Sequence, residues 1–164
     1  MLEPPPQYRN RAPRFTDAAA LTSIGPDRLG REAWLEPNTA RAWQAMRAAA
    51  AAAGITLWVA SAFRSIARQE EIVTAKLRRG LTWEQILAVS AYPGFSEHHT
   101  GTAIDITTPD CPNLVEEFES TAAFRWLDRH ARGLGFALSY PRGNPYGVVY
   151  EPWHWRWHDE LGQP

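Results

Sequence analysis

Two short segments of the chain concentrate residues that could perform hydrolytic chemistry. In the first, His98 lies seven positions before Asp105, and Gly101 between them lets the backbone turn. In the second, His154 follows Glu151 by three positions. Imidazole nitrogen and carboxylate oxygen are both good ligands for Zn²⁺. The first pair can fold back onto one ion, and the second segment can supply a further ligand.

Three protein ligands plus a water molecule form the arrangement of a catalytic zinc site, whereas a structural site needs a fourth protein ligand. The two segments together offer two histidines and two carboxylates. If three of these four residues hold the ion, the remaining carboxylate is free to act as a base toward the water. The pattern therefore favours metal-assisted hydrolysis.

Each of these residues also has a purely structural explanation. Asp105 lies within the apolar stretch Ala-Ile-Asp-Ile-Thr, and a buried salt bridge is the simplest explanation for it when it is taken alone. Glu151 is explained equally by a charge on a strand surface, and His154 by membership of an aromatic cluster. The other histidines are interpreted as solvated or structural: His99, His130 and His158.

The elements that would position these segments are mixed. An alanine-rich helix is predicted to begin near Pro37-Asn38-Thr39 and to end at Gly54, with one apolar stripe: Trp43, Met46, Ala50 and Ala53. The elements predicted after it are a buried strand at 55–60, helices at 66–79 and 83–91, a strand at 103–107, a helix opened by Ser120 or Thr121, and a hairpin of strands at 136–140 and 148–157. Helices come first and strands cluster late, which predicts an α+β fold.

Residues 1–36 are rich in proline, arginine and glycine and lack sustained periodicity. They are predicted to form an irregular N-terminal arm, which leaves residues 37–164 as the single domain. The chain has 164 residues and a formal net charge of −1, so it has no basic field that would recruit nucleic acid. No apolar run approaches the roughly 20 residues of a membrane span, and the first residues lack the apolar core of a secretory signal. We expect a monomer.

Taken together, the two segments resemble the zinc D-alanyl-D-alanine carboxypeptidases of the VanY type. The resemblance is carried by Ser-x-His-x-x-Gly-x-Ala-x-Asp at 96–105 and Glu-x-x-His at 151–154. The stretch 61–65, with Gln69 after it, resembles the family's Ser-Gly-Tyr-Arg-Ser…Gln segment, although Ala62 and Phe63 replace the usual glycine and tyrosine. The family's fold is shared with the Hedgehog signalling domain and lysostaphin-like peptidases, which implies helices packed on a mainly antiparallel sheet.

The resemblance implies a role for each matching residue. One Zn²⁺ per chain would be held by three ligands: His98, Asp105 and His154. Glu151 would be the general base that takes a proton from water and later protonates the leaving amine. Arg64 would either stabilise the oxyanion or hold the terminal carboxylate of the substrate, since both tasks suit a guanidinium fork. Gln69 and Ser96 would add neutral hydrogen bonds at the same end of the peptide.

The implied activity is removal of the terminal D-alanine from the stem peptide of bacterial peptidoglycan. The alternatives are an L,D-carboxypeptidase that acts on the tetrapeptide, a peptidoglycan endopeptidase, and a non-catalytic zinc-containing binding module like the Hedgehog relatives. A binding module need not retain a base such as Glu151. The family implies a periplasmic or extracellular location, whereas the chain shows no signal peptide.

Overall fold

The computed structural model describes residues 13–161, and over this range helices pack on a small antiparallel sheet. The strands are β1 (Thr22–Pro26), β2 (Glu32–Leu35), β3 (Trp58–Ser61), β4 (Ala103–Thr107), β5 (Phe136–Leu138) and β6 (His154–Trp157). The helices are α1 (Pro37–Ala52), α2 (Ile66–Arg78), α3 (Trp83–Val89) and α4 (Ala122–His130), with 3₁₀ turns at Glu97–Thr100, Glu116–Ser120 and Ala131–Leu134. The predicted α+β fold is confirmed.

The central sheet has the spatial order β3–β4–β6–β5, and every neighbouring pair is antiparallel. All five residues of β4 are buried, so an ionised group on this strand needs a partner of opposite charge. Side chains from the sheet and from α1 and α4 form the hydrophobic core, whose largest members include Trp43, Phe118, Phe136, Met46 and Leu127.

Helix α1 follows the predicted pattern with small differences at its ends. Three residues of the predicted stripe, Trp43, Met46 and Ala50, are buried, whereas Ala53 is exposed because it already forms the C-cap. The N-cap is Glu36, whose side chain accepts a hydrogen bond from the amide of Thr39. The residues directly after Ala52 still belong to the C-terminal end of the helix. Strand β3 therefore begins at residue 58 rather than at the predicted residue 55.

The prediction of an irregular arm is wrong for the segment Thr22–Leu35, where β1 and β2 form an antiparallel hairpin. The Asp27 carboxylate accepts hydrogen bonds from the amides of Leu29 and Arg31, which stabilises the tight connection. Ile24 and Leu35 of this hairpin are buried in the hydrophobic core. The predicted arm at residues 1–12 lies outside the described residues, and the domain boundary at residue 37 stays a prediction.

The C-terminal hairpin is shorter than predicted. Its two strands are only β5 and β6, rather than residues 136–140 and 148–157. Between them, the side-chain amide of Asn144 donates hydrogen bonds to the carbonyls of Pro141 and Val148, which holds this stretch as a loop. Pro152 has no amide hydrogen to donate to a sheet ladder. The result is a long irregular segment that carries Glu151 up to the start of β6.

Side-chain caps begin the remaining helices as the sequence predicts. Ser65 caps α2, and Thr121 caps α4. Thr82 and Gln85 form the predicted capping box of α3. This helix ends at Val89, before the predicted end, because Ser90 adopts an extended conformation. The cap of α2 at Ser65 directly follows Arg64.

Candidate active site

Three buried side chains from three different elements meet in one place. His98 lies in the 3₁₀ turn, Asp105 on β4 and His154 on β6, and Asp105 and His154 are direct partners across the two strands. The Nε2 atom of His98 lies 3.2 Å from Oδ2 of Asp105, and Nδ1 of His154 lies 3.0 Å from Oδ1 of the same carboxylate. The structure thus brings together the three residues that the sequence predicts as metal ligands.

The chemistry and the spacing of these donors fit zinc. Two ligand atoms at 2.0–2.1 Å from a tetrahedral ion lie about 3.4 Å apart, close to the separations of 3.2 and 3.0 Å found for Asp105 and the two rings. One ligand atom from each of His98, Asp105 and His154 lies within 4.8 Å of the other two. Two imidazoles and one carboxylate leave room for a water molecule in the fourth position.

The histidine rings are held from behind by their other nitrogen atoms. Nδ1 of His98 donates a hydrogen bond to the carbonyl of Ala62 at 2.7 Å, so its Nε2 faces Asp105. Nε2 of His154 lies 2.9 Å from Oε2 of Glu97, so its Nδ1 faces Asp105. Metal-binding histidines commonly have such a second partner, which sets the ring orientation and the tautomer.

Glu97 belongs to no motif that predicts a function, although it is buried in contact with a predicted ligand. Its carboxylate accepts hydrogen bonds from Ser139, His154 and Arg156, which lie 42, 57 and 59 positions further along the chain. No local spacing reveals partners at that distance. Its position directly before His98 in a segment rich in polar residues was the signal that could have drawn attention to it.

Local electrostatics favour a cation at this place. Burial works against the charge on Asp105, yet His98 and His154 hold the pKa of its carboxyl well below the ordinary value. Burial also opposes a charge on His154, but hydrogen bonds to Asp105 and Glu97 raise the pKa of its ring to about 10. For His98, burial dominates and lowers the pKa of the ring. Glu97 is ionised as well, since hydrogen bonds from His154 and Ser139 outweigh its burial and lower its pKa to about 2.

Gly101 allows the turn between His98 and Asp105. Its φ of +70° lies in the left-handed region, which favours glycine. A Cβ atom at this position would lie 2.8 Å from the backbone nitrogen of Glu36, and that nitrogen donates a hydrogen bond to the carbonyl of Gly101. The close approach to the start of α1 thus requires a residue without a side chain.

Glu151 lies beside the three candidate ligands. Its side chain is 15% exposed, and its Oε2 lies 3.8 Å from Nδ1 of His154. Burial raises the pKa of Glu151 to about 7; Asp105 acts in the same direction, whereas His154 and Arg64 oppose it. A carboxyl group with a pKa near neutrality can both accept and return a proton at working pH.

Arg64 is held in a defined position after β3. Its Nη1 donates a hydrogen bond to Oε1 of Gln69 at 2.7 Å, and its Nη2 donates one to Oγ of Ser61 at 3.2 Å. The main chain of Arg64 is fixed too, because its amide donates to the carbonyl of His98 and its own carbonyl accepts from Nδ1 of His99. Arg64 and Glu151 both line the same cavity.

The two remaining predicted substrate-binding residues lie in different surroundings. Ser96 lines the cavity, and its Oγ accepts a hydrogen bond from the amide of His98. Gln69 is fully buried, because its side chain is committed to Arg64 on one side and to the carbonyl of Ala91 on the other. This geometry favours an indirect role for Gln69, through the orientation of Arg64.

The cavity has a volume of about 300 Å³ and is lined by both polar and apolar residues. The polar lining includes the candidate ligands, Glu151, Arg64 and Ser96. The apolar lining includes the side chains of Phe15, Val89, Phe95, Leu114, Val149 and Trp153. A pocket of this kind can bind a short peptide end next to the metal ligands.

Of the histidines outside the predicted ligand set, His99 has a structural role. It is fully buried, and its Nδ1 donates to the carbonyl of Arg64 while its Nε2 accepts from the amide of Gly94. His130 is exposed and contacts Trp126. His158 lies near the surface, with 34% of its side chain exposed. These residues stay outside the candidate metal cluster.

A buried group of two histidines and one carboxylate, with a second carboxylate and an arginine on the same cavity, has the components of a hydrolase site built around a metal. The chain belongs to the VanY D-alanyl-D-alanine carboxypeptidase family, whose model matches residues 32–160. This membership confirms the resemblance that the two sequence motifs indicate.

Individual relatives agree with this assignment. A D-alanyl-D-alanine carboxypeptidase of Enterococcus faecalis is 35% identical over 119 residues, which cover 66% of this chain and 42% of that protein. The solved structure of the LdcB LD-carboxypeptidase is 30% identical, with a TM-score of 0.79 over 88% of this chain and 71% of that one. A variant of the D,D-pentapeptidase VanY from a VanB-type resistance cassette, in complex with Zn(II), is 30% identical, with a TM-score of 0.66 over 91% of this chain and 83% of that one.

The chain spans less than half the length of its E. faecalis relative. Within the residues that the structure describes, no helix is long and apolar enough to cross a membrane.

Proposed function

We propose that this chain is a zinc-dependent carboxypeptidase that removes the terminal D-alanine from the stem peptide of bacterial peptidoglycan. The observation that supports this most is that one cavity is lined by His98, Asp105, His154, Glu151 and Arg64. Membership of the VanY family supports the class of reaction, and the zinc complex of a VanY structure supports the metal. The family also supports a place of action at the cell wall, outside the cytoplasmic membrane, and the expectation of a monomer stays a prediction.

His98, Asp105 and His154 would hold the ion. Zinc, when bound, supplies a Lewis acid that polarises a carbonyl and lowers the pKa of water. The chain itself keeps the three ligands in register, since His98 is anchored on the carbonyl of Ala62 and His154 is paired with Asp105 across the sheet. The three ligands are buried and line the cavity that would admit the peptide.

Glu151 would move the proton. Its carboxylate accepts a proton from the attacking water and then gives that proton to the amine of the departing D-alanine. In the metal-free chain, burial raises the pKa of Glu151, which makes its carboxylate a stronger base toward water. The presence of this base also argues against a non-catalytic zinc-containing module.

Arg64 would recognise the charged end of the substrate. Gln69 and Ser61 hold its guanidinium from one side, and further N–H donors remain for a carboxylate or an oxyanion in the cavity. Holding the terminal carboxylate would make the enzyme an exopeptidase, whereas stabilising the oxyanion would act only in the transition state. Ser96, on the cavity wall, would add a neutral hydrogen bond.

A second candidate is an L,D-carboxypeptidase that acts on the tetrapeptide. It is favoured by the similarity to the LdcB LD-carboxypeptidase, whose TM-score of 0.79 exceeds the 0.66 of the VanY D,D-pentapeptidase. The two candidates share the metal, the base and the arginine, and they differ in the stereochemistry of the bond that is cleaved.

Stem peptides of four and five residues test the proposal directly. The zinc-loaded protein is incubated with each peptide, and the products are analysed by mass. Loss of one alanine from the pentapeptide alone would support D,D activity, and loss from the tetrapeptide would support L,D activity. A fragment from the middle of the peptide would indicate an endopeptidase. Zinc binding without cleavage of either peptide would contradict the proposal and favour a binding module.

A further inference from the structure

Glu97 is a buried carboxylate for which the proposed reaction has no use. It is 8% exposed, and it accepts three hydrogen bonds on its two oxygen atoms. Oε2 accepts from Nε2 of His154 at 2.9 Å and from Oγ of Ser139 at 2.6 Å, and Oε1 accepts from Nη1 of Arg156 at 3.2 Å. A buried charge with this many partners is held in a single position.

The two histidines of the cluster turn opposite edges of their rings toward Asp105. His98 uses Nε2 and is anchored through Nδ1 on a backbone carbonyl, whereas His154 uses Nδ1 and is anchored through Nε2 on Glu97. A ring that binds a metal through Nδ1 is neutral and carries its one proton on Nε2, where Glu97 would accept it. The anchor of His154 is thus a side chain, which a substitution can remove.

Glu97 is itself supported through Oε1, the oxygen atom that does not contact His154. The guanidinium of Arg156 pairs with Glu97, donates through Nε to Oγ1 of Thr102 at 3.2 Å, and lies 5.0 Å from the ring centre of Phe15. Phe15 also lines the cavity. The support therefore runs from the N-terminal segment through Arg156 and Glu97 to the ring of His154.

We propose that Glu97 is a positioning residue that holds the ring of His154 with Nδ1 turned toward the metal and fixes its tautomer. This inference rests on the metal site of the proposed function. A carboxylate behind a metal-binding histidine orients the ring and makes it a better ligand, and its loss typically lowers metal affinity or activity about 10- to 100-fold. Glu97 does not need to touch the substrate for this effect.

The competing explanation is that Glu97 only neutralises Arg156 in the fold. Under that explanation, Glu97→Gln and Arg156→Met would lower the thermal stability of the EDTA-treated protein and would change zinc affinity equally or not at all. Under the proposal, zinc affinity depends on the carboxylate at Nε2 of His154. Arg156→Met leaves that hydrogen bond in place and serves as the matched control.

The test measures zinc affinity by competition with a chromophoric chelator, in the whole chain and without a peptide substrate. We expect Glu97→Gln to lower zinc affinity about 10- to 100-fold, and Arg156→Met to lower it clearly less. Glu97→Asp keeps the charge but draws it back from His154, so it should also lower the affinity. This second variant keeps the test valid if Glu97→Gln does not fold.

Parent-like zinc affinity in a folded Glu97→Gln or Glu97→Asp protein would overturn the inference, as would an equal loss in Arg156→Met. The proposed function fails in a different way, when the parent binds zinc and cleaves neither stem peptide. In that case a loss of affinity in the Glu97 variants would still support the positioning role. A parent that does not bind zinc would overturn both.

Discussion

Asp105 on β4 and His154 on β6 face each other as direct partners of an antiparallel ladder, with 3.0 Å between Oδ1 and Nδ1. The register of the central sheet therefore sets the distance between two of the three candidate ligands. A shift of one residue would turn one of these side chains to the opposite face of the sheet. The core packing that fixes this register is thus also what positions the site.

The roles of base and ligand can be separated by two substitutions. Glu151→Gln should keep zinc bound but lower kcat by about 10²–10⁴-fold, since it removes the proton acceptor. His154→Ala should lower zinc affinity itself, because it removes a ligand. Metal content after gel filtration and the rate of D-alanine release, measured on both variants, check this. If Glu151→Gln released zinc as readily as His154→Ala, the assignment of these roles would be wrong.

The candidate ligands and the base could be predicted from the sequence because their spacing is local. His98 and Asp105 are joined by one turn into one strand, and Glu151 and His154 lie within four positions at the start of β6. Glu97 could not be predicted in this way, since its partners come from distant parts of the chain that only the tertiary fold brings together.

The largest error in the predicted fold is the missed hairpin of β1 and β2, which depends on local turn chemistry. The segment from Thr22 to Leu35 is short and rich in residues typical of loops, yet Asp27 closes a turn and Ile24 and Leu35 reach the core. The alternation of buried residues there is too brief to stand out without the packing of α1 behind it. Burial of Gln69 is also a tertiary effect, and the sequence motif alone suggests direct contact with the substrate.

Substitution of Arg64 should reveal which charge it binds. If Arg64 holds the terminal carboxylate in the ground state, Arg64→Lys should raise KM about 10- to 100-fold, because an ammonium cannot reproduce the guanidinium fork. If Arg64 stabilises the oxyanion, the same change should lower kcat instead. Steady-state kinetics on the stem peptide distinguish the two outcomes.

Two controls accompany the Arg64 kinetics. Gln69→Leu removes the partner of Arg64, so it should shift the same parameter by less and add little in the Arg64→Lys background. A C-terminally amidated peptide should be a poor substrate for the parent enzyme. Parent-like kinetics of Arg64→Lys would reduce Arg64 to a structural residue, and rapid cleavage of the amidated peptide would argue against carboxylate recognition.

His99 should matter to catalysis through Arg64 rather than through the metal. His99→Ala removes the hydrogen-bond partners of the Arg64 carbonyl and the Gly94 amide, which should lower the free energy of unfolding by roughly 1–3 kcal/mol. It should also lower kcat/KM while zinc affinity stays near that of the parent. The exposed His130→Ala is the matched control and should change neither quantity. If His99→Ala lowered zinc affinity and His130→Ala did not, His99 would act through the metal ligands rather than through Arg64.

The raised pKa of Glu151 predicts a pH-dependent stability in EDTA-treated protein. The folded chain holds the proton of Glu151 up to about pH 7, whereas the unfolded chain loses it near the ordinary value of 4.5. The contribution of Glu151 to stability is therefore full below pH 4.5 and is lost as the pH rises to 7. Glu151→Gln should be more stable than the parent above pH 7 by about 3 kcal/mol and equally stable below pH 4.5. Denaturant unfolding across this range checks the difference, and a constant difference would contradict it.

Under the proposed function, hydrolysis depends on one zinc ion held by His98, Asp105 and His154. The most direct measurement is the rate of D-alanine release from the pentapeptide, or from the tetrapeptide if that is the substrate, as EDTA-treated protein is titrated with zinc. We expect no release of D-alanine at the start and a linear rise in rate that ends at one equivalent of zinc per chain. Full activity in the EDTA-treated protein, before any zinc is added, would contradict it.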